Sequence, residues 1–302
     1  MSTTALHRDC LVGANPIIWS NDDFNELAGD VPLDTILREM RAAGYAGTEL
    51  GHAYPRTPAA LAEPLSRHHL RLVSGWHSTH LASRDLTGEE AAFRAHVSLL
   101  KTLGARVVIV AECTRCIHGD RTAALGSGAA PPPRLTEAEW PRFTAGLRQL
   151  AAMAAEEEMS VVYHHHMGTV IQGEPDLERL LAAVPEVRLL LDPGHLAFAG
   201  IDPVAVARRH AGRIGHVHLK SVRADIVARS RREGWSFCRA VTEGVFTVPG
   251  DGAVDFPAIF RLLAEADYRG WLVVEAEEDP VKVPALPKAQ AARRYVRANT
   301  GV

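Results

Sequence analysis

Val161-Val162-Tyr163-His164-His165-His166-Met167-Gly168-Thr169 passes without a break from an apolar strand signal into three histidines, and this change of character decides how the rest of the chain is read. Side chains alternate faces along a strand, so His164 and His166 share one side and His165 takes the other. Two imidazoles on one face at a strand's end can hold a metal. The same residues also suit a polar strand terminus with hydrogen-bonded histidines. Partners from other strands have to decide between the two.

Working outward, short apolar runs recur at Leu11 to Trp19, Gly47 to Gly51, Leu70 to His77, Arg106 to Glu112, Val187 to Asp192, Ile214 to Lys220 and Trp271 to Glu275. Between them lie helical periodicities at Leu33 to Ala43, Thr57 to His69 (broken by Pro64), Glu89 to Leu103, Thr136 to Glu158, Pro175 to Ala183, Pro203 to His210 and Phe256 to Ala266, with Pro287 to Ala298 as a closing helix. Counting Ser160 to His166, eight strands alternate with helices. Continuous apolar strands suit a parallel sheet covered on both faces. A single (β/α)8 TIM barrel over residues 1–302 uses every element. An open doubly wound sheet would need a Gly-rich phosphate turn after the first strand, and none is present.

Two connections exceed plain turns, 114–135 after the fourth strand and 221–255 after the seventh. Both leave the carboxyl ends of strands, where barrel sites lie, and are expected to cover the site. The second carries Arg223, Arg229, Arg231, Arg232 and Arg239, either as a solvated helix face or in substrate or subunit contact.

A formal net charge of -3 on 302 residues gives no bulk attraction for nucleic acid. No apolar run approaches the roughly 18 residues of a membrane span, and Met1 to Asp9 is too polar for a signal peptide. A cytoplasmic protein is expected. Four cysteines, Cys10, Cys113, Cys116 and Cys238, do not make a disulfide framework. Cys113-x-x-Cys116 followed by His118 invites a zinc or redox reading. Without a second such pair, reduced loop cysteines are the simpler expectation.

In a parallel barrel the strand ends converge on one mouth. Those positions hold Asn15, Trp19, Glu49, His77, Glu112, His164, His166, Asp192, His195, His216, His218, Lys220, Glu275 and Glu277. Nearly every strand ends in a group that can ligate or titrate. Carboxylates with imidazoles and no thiolate suggest a divalent ion such as Mn²⁺, Co²⁺, Mg²⁺, Fe²⁺ or Zn²⁺. Asp192 and Glu275 would balance its charge, with His218 and a strand-five histidine, His164 or His166, completing the set. Such an ion beside titratable groups can polarise a carbonyl.

At this point the residues resemble a known family. Asp192-Pro193-Gly194-His195, His216-Val217-His218-Leu219-Lys220 and Glu275 look like the xylose-isomerase-like barrels of sugar isomerases and epimerases. The inosose dehydratases of inositol catabolism are the narrower resemblance. It rests on Asn15-Pro16 with Trp19-Ser20-Asn21-Asp22, on Gly47-Thr48-Glu49-Leu50-Gly51, on Tyr163 to Thr169, and on Gly244-Val245-Phe246-Thr247-Val248-Pro249-Gly250-Asp251-Gly252. The superfamily usually places a glutamate, both ligand and base, where His164 stands here.

The resemblance implies loss of water from 2-keto-myo-inositol (scyllo-inosose) to give a trihydroxycyclohexane-dione, with Mn²⁺ or Co²⁺ as cofactor. It implies metal ligands His164 (or His166), Asp192, His218 and Glu275, and acid, base or hydroxyl partners among Glu275, His195 and Lys220. The substrate, a small polyhydroxy ketone, would meet Asn15, Trp19, Glu49, His77, Glu112, His166 and Arg223. Lys220 is open between a proton donor and a lysine paired with a carboxylate, and Trp19 between a rim and the core. The competing readings are a metal-dependent ketose isomerase or 3-epimerase, and a non-catalytic sugar-binding barrel. A homo-oligomer is compatible with all three.

Overall fold

The computed structural model describes residues 5–21, 24, 31–125 and 131–302; Asp22 and the stretch 126–130 lie outside them. Eight parallel strands close a barrel: β1 (Leu11–Ala14), β2 (Gly47–Leu50), β3 (Arg71–Thr79), β4 (Val107–Glu112), β5 (Ser160–Tyr163), β6 (Arg188–Leu191), β7 (Ile214–Leu219) and, after a two-stranded insert of β8 (Ser221–Val222) and β9 (Phe246–Thr247), β10 (Trp271–Val274). β1 pairs with β10, so the sheet has no free edge in the barrel.

The helices are α1 (Leu33–Ala43), α2 (Pro58–Arg67), α3 (Leu86–Thr102), α4 (Trp140–Glu156), α5 (Glu174–Ala183), α6 (Pro193–Ala199), α7 (Pro203–Arg209), α8 (Ala224–Glu233), α9 (Phe237–Thr242), α10 (Phe256–Glu265) and α11 (Ala285–Thr300). Their ends follow local chemistry. Gly44 stops α1 in the left-handed conformation that glycine tolerates, and the side chains of Asp202 and Asp255 accept from the first-turn N–H groups of α7 and α10. The helix expected from Thr136 begins at Trp140. Before it, Glu139 turns its carboxylate back to accept from the Thr136 N–H and Oγ1 at 2.7 and 2.9 Å.

The main apolar core lies between strands and helices, where Val161, Tyr163, Leu189, Leu191, Val217 and Leu219 meet helix residues such as Leu147, Leu150, Leu177 and Phe260. A small cluster of Ile109, Val162 and Leu190 plugs the barrel interior. The 221–255 segment is more than a loop. With α8, α9 and the β8–β9 hairpin it builds a second apolar cluster around Trp235, Phe237, Val241 and Phe246, which also takes in Met167. The other long connection joins it, since Leu125 N–H donates to Trp235 O at 3.1 Å. The arginine run is mostly solvated: Arg229 pairs with Glu233, and Arg229 and Arg239 lie over the Trp235 ring. No helix among the described residues is long and apolar enough to cross a membrane.

Candidate active site

Strand parity decides what reaches the barrel mouth. Val162 and Leu190 point inward, so two residues on His164 and Asp192 do too, followed by His166 on its own strand. His216, His218 and Lys220 from β7, with Glu275 and Glu277 beyond β10, arrive from the neighbouring strands. All are buried.

The ligand atoms of Asp192, His218 and Glu275 lie within 4.8 Å of one another, as do those of His164, Asp192 and His195. Asp192 is the N-cap of α6: its Oδ1 accepts from His195 N–H at 2.9 Å, which leaves Oδ2 aimed at the mouth. That oxygen has no hydrogen bond of acceptable alignment, and neither does His218 Nδ1, although it stands 2.7 Å from Glu275 Oε2. His164 Nε2 is 3.6 Å from Asp192 Oδ2. Its Nδ1–H donates to His165 O at 2.6 Å, so the Nε2 lone pair is free. Two carboxylates and two imidazoles, with their ligand atoms turned toward one another, fit a divalent cation with open positions.

Burial drives the imidazoles of His164, His166 and His195 well below the usual histidine range and keeps them neutral, the form a ligand needs. His218 goes the other way. Burial opposes its charge, but Glu275 and Glu49 outweigh it and hold the ring protonated while no ion is present.

Lys220 lies behind this pole, fully buried, 2.5 Å from Glu275 Oε1, 2.5 Å from Glu277 Oε1 and 3.3 Å from Asp192 Oδ2. Burial works against its charge too, and the three carboxylates overcome it, so Lys220 is the paired ammonium of the two readings left open. Its stem passes against Gly194, where a Cβ would come within 2.6 Å of Lys220 Cγ; only glycine leaves that passage. His195 Nδ1 accepts from Met167 N–H at 3.2 Å, which directs its Nε2–H to Glu277 Oε1, also at 3.2 Å.

The cavity in front of these groups has a volume of about 290 Å³, close to the lower end of the roughly 300–1,000 Å³ range of small-molecule sites. Glu275, Glu277, His164, His166 and His218 form its polar floor, Asn15 and Glu49 one side, and Trp76 and Ile109 the other. Glu49 accepts from His216 Nε2 at 2.8 Å, Ser74 Oγ at 2.5 Å and Asn15 Nδ2 at 2.7 Å, and stands 3.2 Å from His218 Nε2. Burial would raise the Glu49 carboxyl, but the His218 and His216 imidazoles hold it well below the carboxylate range.

Asn15, Glu49, His164, His166, Asp192, His195, His218, Lys220 and Glu275 thus come together, with Asp192, His195 and Lys220 behind the cavity wall. Four expected residues do not reach it. The β2–β3 register shifts between Thr48↔Leu72 and Leu50↔Gly75, and beyond the bulge Trp76 faces the cavity while His77 turns outward against Phe93 and His96. Glu112 lies on the helix-facing side of β4, three residues from inward Ile109, and its carboxylate accepts from Leu81 and Ala82 N–H and Thr79 Oγ1. Trp19 is core, its indole N–H donating to Glu39 at 2.7 Å. Arg223 binds the 221–255 insert together, donating to Gly244 O, Phe246 O, Thr247 Oγ1, Asp251 and Glu278.

Sequence reading gave no role to Trp76, Ser74 or Arg56, and noted His118 only beside the Cys113-x-x-Cys116 pair. Glu277 and His216 were visible only as members of the strand-end series. Trp76 was hidden by the bulge, and Ser74 and Arg56 carry no local signal.

Residues 37–299 match the model of the xylose isomerase-like TIM barrel family. The chain is 47% identical to the rhizopine catabolism protein MocC of Rhizobium meliloti over 92% of this chain and 85% of that one. It is 42% identical to the inosose dehydratase of Geobacillus thermodenitrificans over 96% and 97%. A solved structure of the IOLI protein with a bound zinc atom superposes with a TM-score of 0.65 at 17% identity, covering 96% of this chain and 98% of that one, a likeness of fold. The chain therefore belongs to the xylose isomerase-like TIM barrel family and, within it, to the inosose dehydratases and their near relatives.

Proposed function

We propose that this protein is a metal-dependent hydro-lyase that removes water from 2-keto-myo-inositol to give a trihydroxycyclohexane-dione in inositol catabolism. The observation that carries this reading is 42% identity over nearly the full length of an inosose dehydratase, joined to a cavity floor of His164, His218 and Glu275 with Asp192 directly behind it. His164, rather than His166, is the fourth ligand, because it groups with Asp192 while His166 groups with His195 and Glu277. Mn²⁺ or Co²⁺ is the proposed ion. When bound, it supplies Lewis-acid charge to the ketone oxygen as the neighbouring C–H bond breaks.

The chain's own groups do the rest. Glu277 reaches the cavity with Lys220 and His195 hydrogen-bonded behind it, so it is placed to accept the proton α to the ketone. His166 Nε2 lies 3.9 Å from Glu277 Oε1 on the same wall and, with its Nδ1–H donated to Met167 O, holds a free lone pair, so it is placed to take the proton that Glu277 accepts and return it to the departing hydroxyl, which leaves as water. Trp76 offers an apolar face to the ring, and its neighbourhood with His164 and His166 keeps bulk water off the floor. Loss of the usual strand-five carboxylate removes one of the two bases of an epimerase, which favours elimination over proton exchange.

Assay of metal-free enzyme and of enzyme loaded with each divalent ion, by dione absorbance from 2-keto-myo-inositol beside a ketose 3-epimerisation assay, tests the reading. Dione with Mn²⁺ or Co²⁺ is expected; no dione with any ion refutes it. The identity to a rhizopine catabolism protein supports a second reading, the same elimination on a cyclic ketone arising in rhizopine breakdown, for which that ketone should show the higher kcat/KM. Cysteines Cys10, Cys113, Cys116 and Cys238, none in a disulfide among the described residues, agree with a reducing, cytoplasmic setting for this activity.

A further inference from the structure

Cys113 follows β4 directly, and Cys116 sits three residues on in a turn closed by Cys116 N–H donating to Cys113 O at 3.1 Å. Cys113 is buried and Cys116 partly exposed. Cys113 Sγ lies 3.7 Å from Ala111 O, and the groups that act most on the Cys116 thiol are Cys113 and then His118. His118 in turn lines the active-site cavity, its ring 5.2 Å from that of His166. The turn is locked to the triple-histidine segment, since Ile117 N–H donates to Gly168 O at 2.8 Å. Gly168 has φ of +79°, and a Cβ there would lie 2.8 Å from His118 N. A dithiol is therefore in packed contact with the catalytic wall, and the elimination chemistry makes no use of it.

We propose that Cys113 and Cys116 form a peroxide-reactive dithiol whose oxidation to an intrachain disulfide alters the active-site wall through His118. The titratable groups facing the Cys116 sulfur are Cys113, His118 on the same turn, and His80 from the connection between β3 and α3. Cys113 and His118 pull the Cys116 thiol below the ordinary thiol range, while Cys116 and burial push Cys113 up, so Cys116 is the more readily ionised sulfur of the pair.

The step balances. The Cys116 thiolate attacks a hydroperoxide oxygen, the S–O bond forms as the O–O bond breaks, and the leaving oxygen takes a solvent proton as water or alcohol. The Cys113 sulfur then attacks the Cys116 sulfenic acid. The S–S bond forms, the S–O bond breaks, and hydroxide leaves with the Cys113 proton as water. Two electrons pass from the sulfurs to the peroxide.

The test uses the reduced, metal-loaded enzyme. Under limiting iodoacetamide, site-resolved mass spectrometry should show Cys116 alkylated at a rate that changes less than twofold between pH 5.5 and 8, whereas an ordinary thiol of pKa about 8.5 gains roughly tenfold per pH unit below its pKa. Hydrogen peroxide should remove two mass units from the 113–118 segment. In Cys113→Ser it should instead leave a dimedone-trappable sulfenic acid on Cys116. The oxidised enzyme should show a KM changed at least threefold, restored by dithiothreitol. An ordinary pH slope at Cys116, failure to form the disulfide, or an oxidised enzyme with unchanged KM and kcat would each overturn the proposal.

Discussion

Removing the Glu49 side chain tests whether this residue acts on the metal pole through His218. Glu49 Oε2 stands 3.2 Å from His218 Nε2, and the carboxylate is itself held by Ser74, His216 and Asn15. A carboxylate on one ring nitrogen fixes the tautomer, orients the ring and raises the basicity of the other nitrogen, Nδ1, which faces Asp192 and Glu275. Loss of such a partner costs about 10- to 100-fold in metal affinity, which is about 1.4–2.8 kcal/mol. Glu49→Gln keeps a carbonyl oxygen for His218, and its amide can face Ser74 Oγ and a His216 ring in the opposite tautomer. Only the charge is lost, so about tenfold is expected, at the low end of that range. Glu49→Ala also frees the ring to rotate and should approach 100-fold. Calorimetric titration of Mn²⁺ into metal-free protein measures both, with a thermal melt to show that the variants are folded. If the folded alanine variant binds within threefold of the parent, Glu49 does not act through His218 and the coupling inferred from the geometry is wrong.

Other outcomes are equally open to measurement. His164→Gln should abolish metal retention after dialysis while His166→Gln keeps the metal and loses turnover; elemental analysis with a kcat measurement separates them, and the reverse pattern would move the ligand to His166. Lys220→Met leaves Asp192, Glu275 and Glu277 without their buried cation, so the metal-free protein should lose about 3–5 kcal/mol in a denaturant titration, and kcat should fall at least about 100-fold. Burial holds the His165 imidazole down at about 4 against an ordinary 6.5. The unfolded chain therefore takes up a proton below pH 6.5 that the folded chain refuses until about pH 4. Stability is full above that window and falls through it as pH drops, by at most about 3 kcal/mol from this residue; His165→Phe should flatten the Tm against pH curve between those values, and an unchanged slope would exclude the assignment. Glu112→Ala strands the Leu81 and Ala82 N–H groups and should cost about 1–3 kcal/mol per group in chemical denaturation, with metal affinity unaltered.

The correspondence between sequence and structure is closest where the information is local. Apolar runs and helical periods are written in consecutive residues, so all eight barrel strands and their major covering helices fall close to their expected positions. The short helix α6 escaped notice because its Asp-Pro-Gly-His start reads as a turn, and the fold inside 221–255 escaped because its pieces are too short to show a period. In the site, Asp192 and Glu275 were readable because each directly follows an apolar strand at an inward position, and His218 because it shares the inward face of β7 with His216, beyond the register shift in the β6–β7 pairing.

What the sequence alone determined, then, was the number and kind of elements and the collection of polar groups at the strand ends, because side-chain alternation and amphipathic spacing are properties of a single segment. Only the tertiary structure decided which of those groups meet. A bulge between β2 and β3 exchanged His77 for Trp76, parity set Glu112 against the helices, and the cap of α6 turned one Asp192 oxygen away and left the other facing His164 and His218. Register, bulges and caps arise from pairing between segments distant in sequence. For that reason the proposal of His164 over His166 as ligand rests on their distances to Asp192 and Glu277 in space.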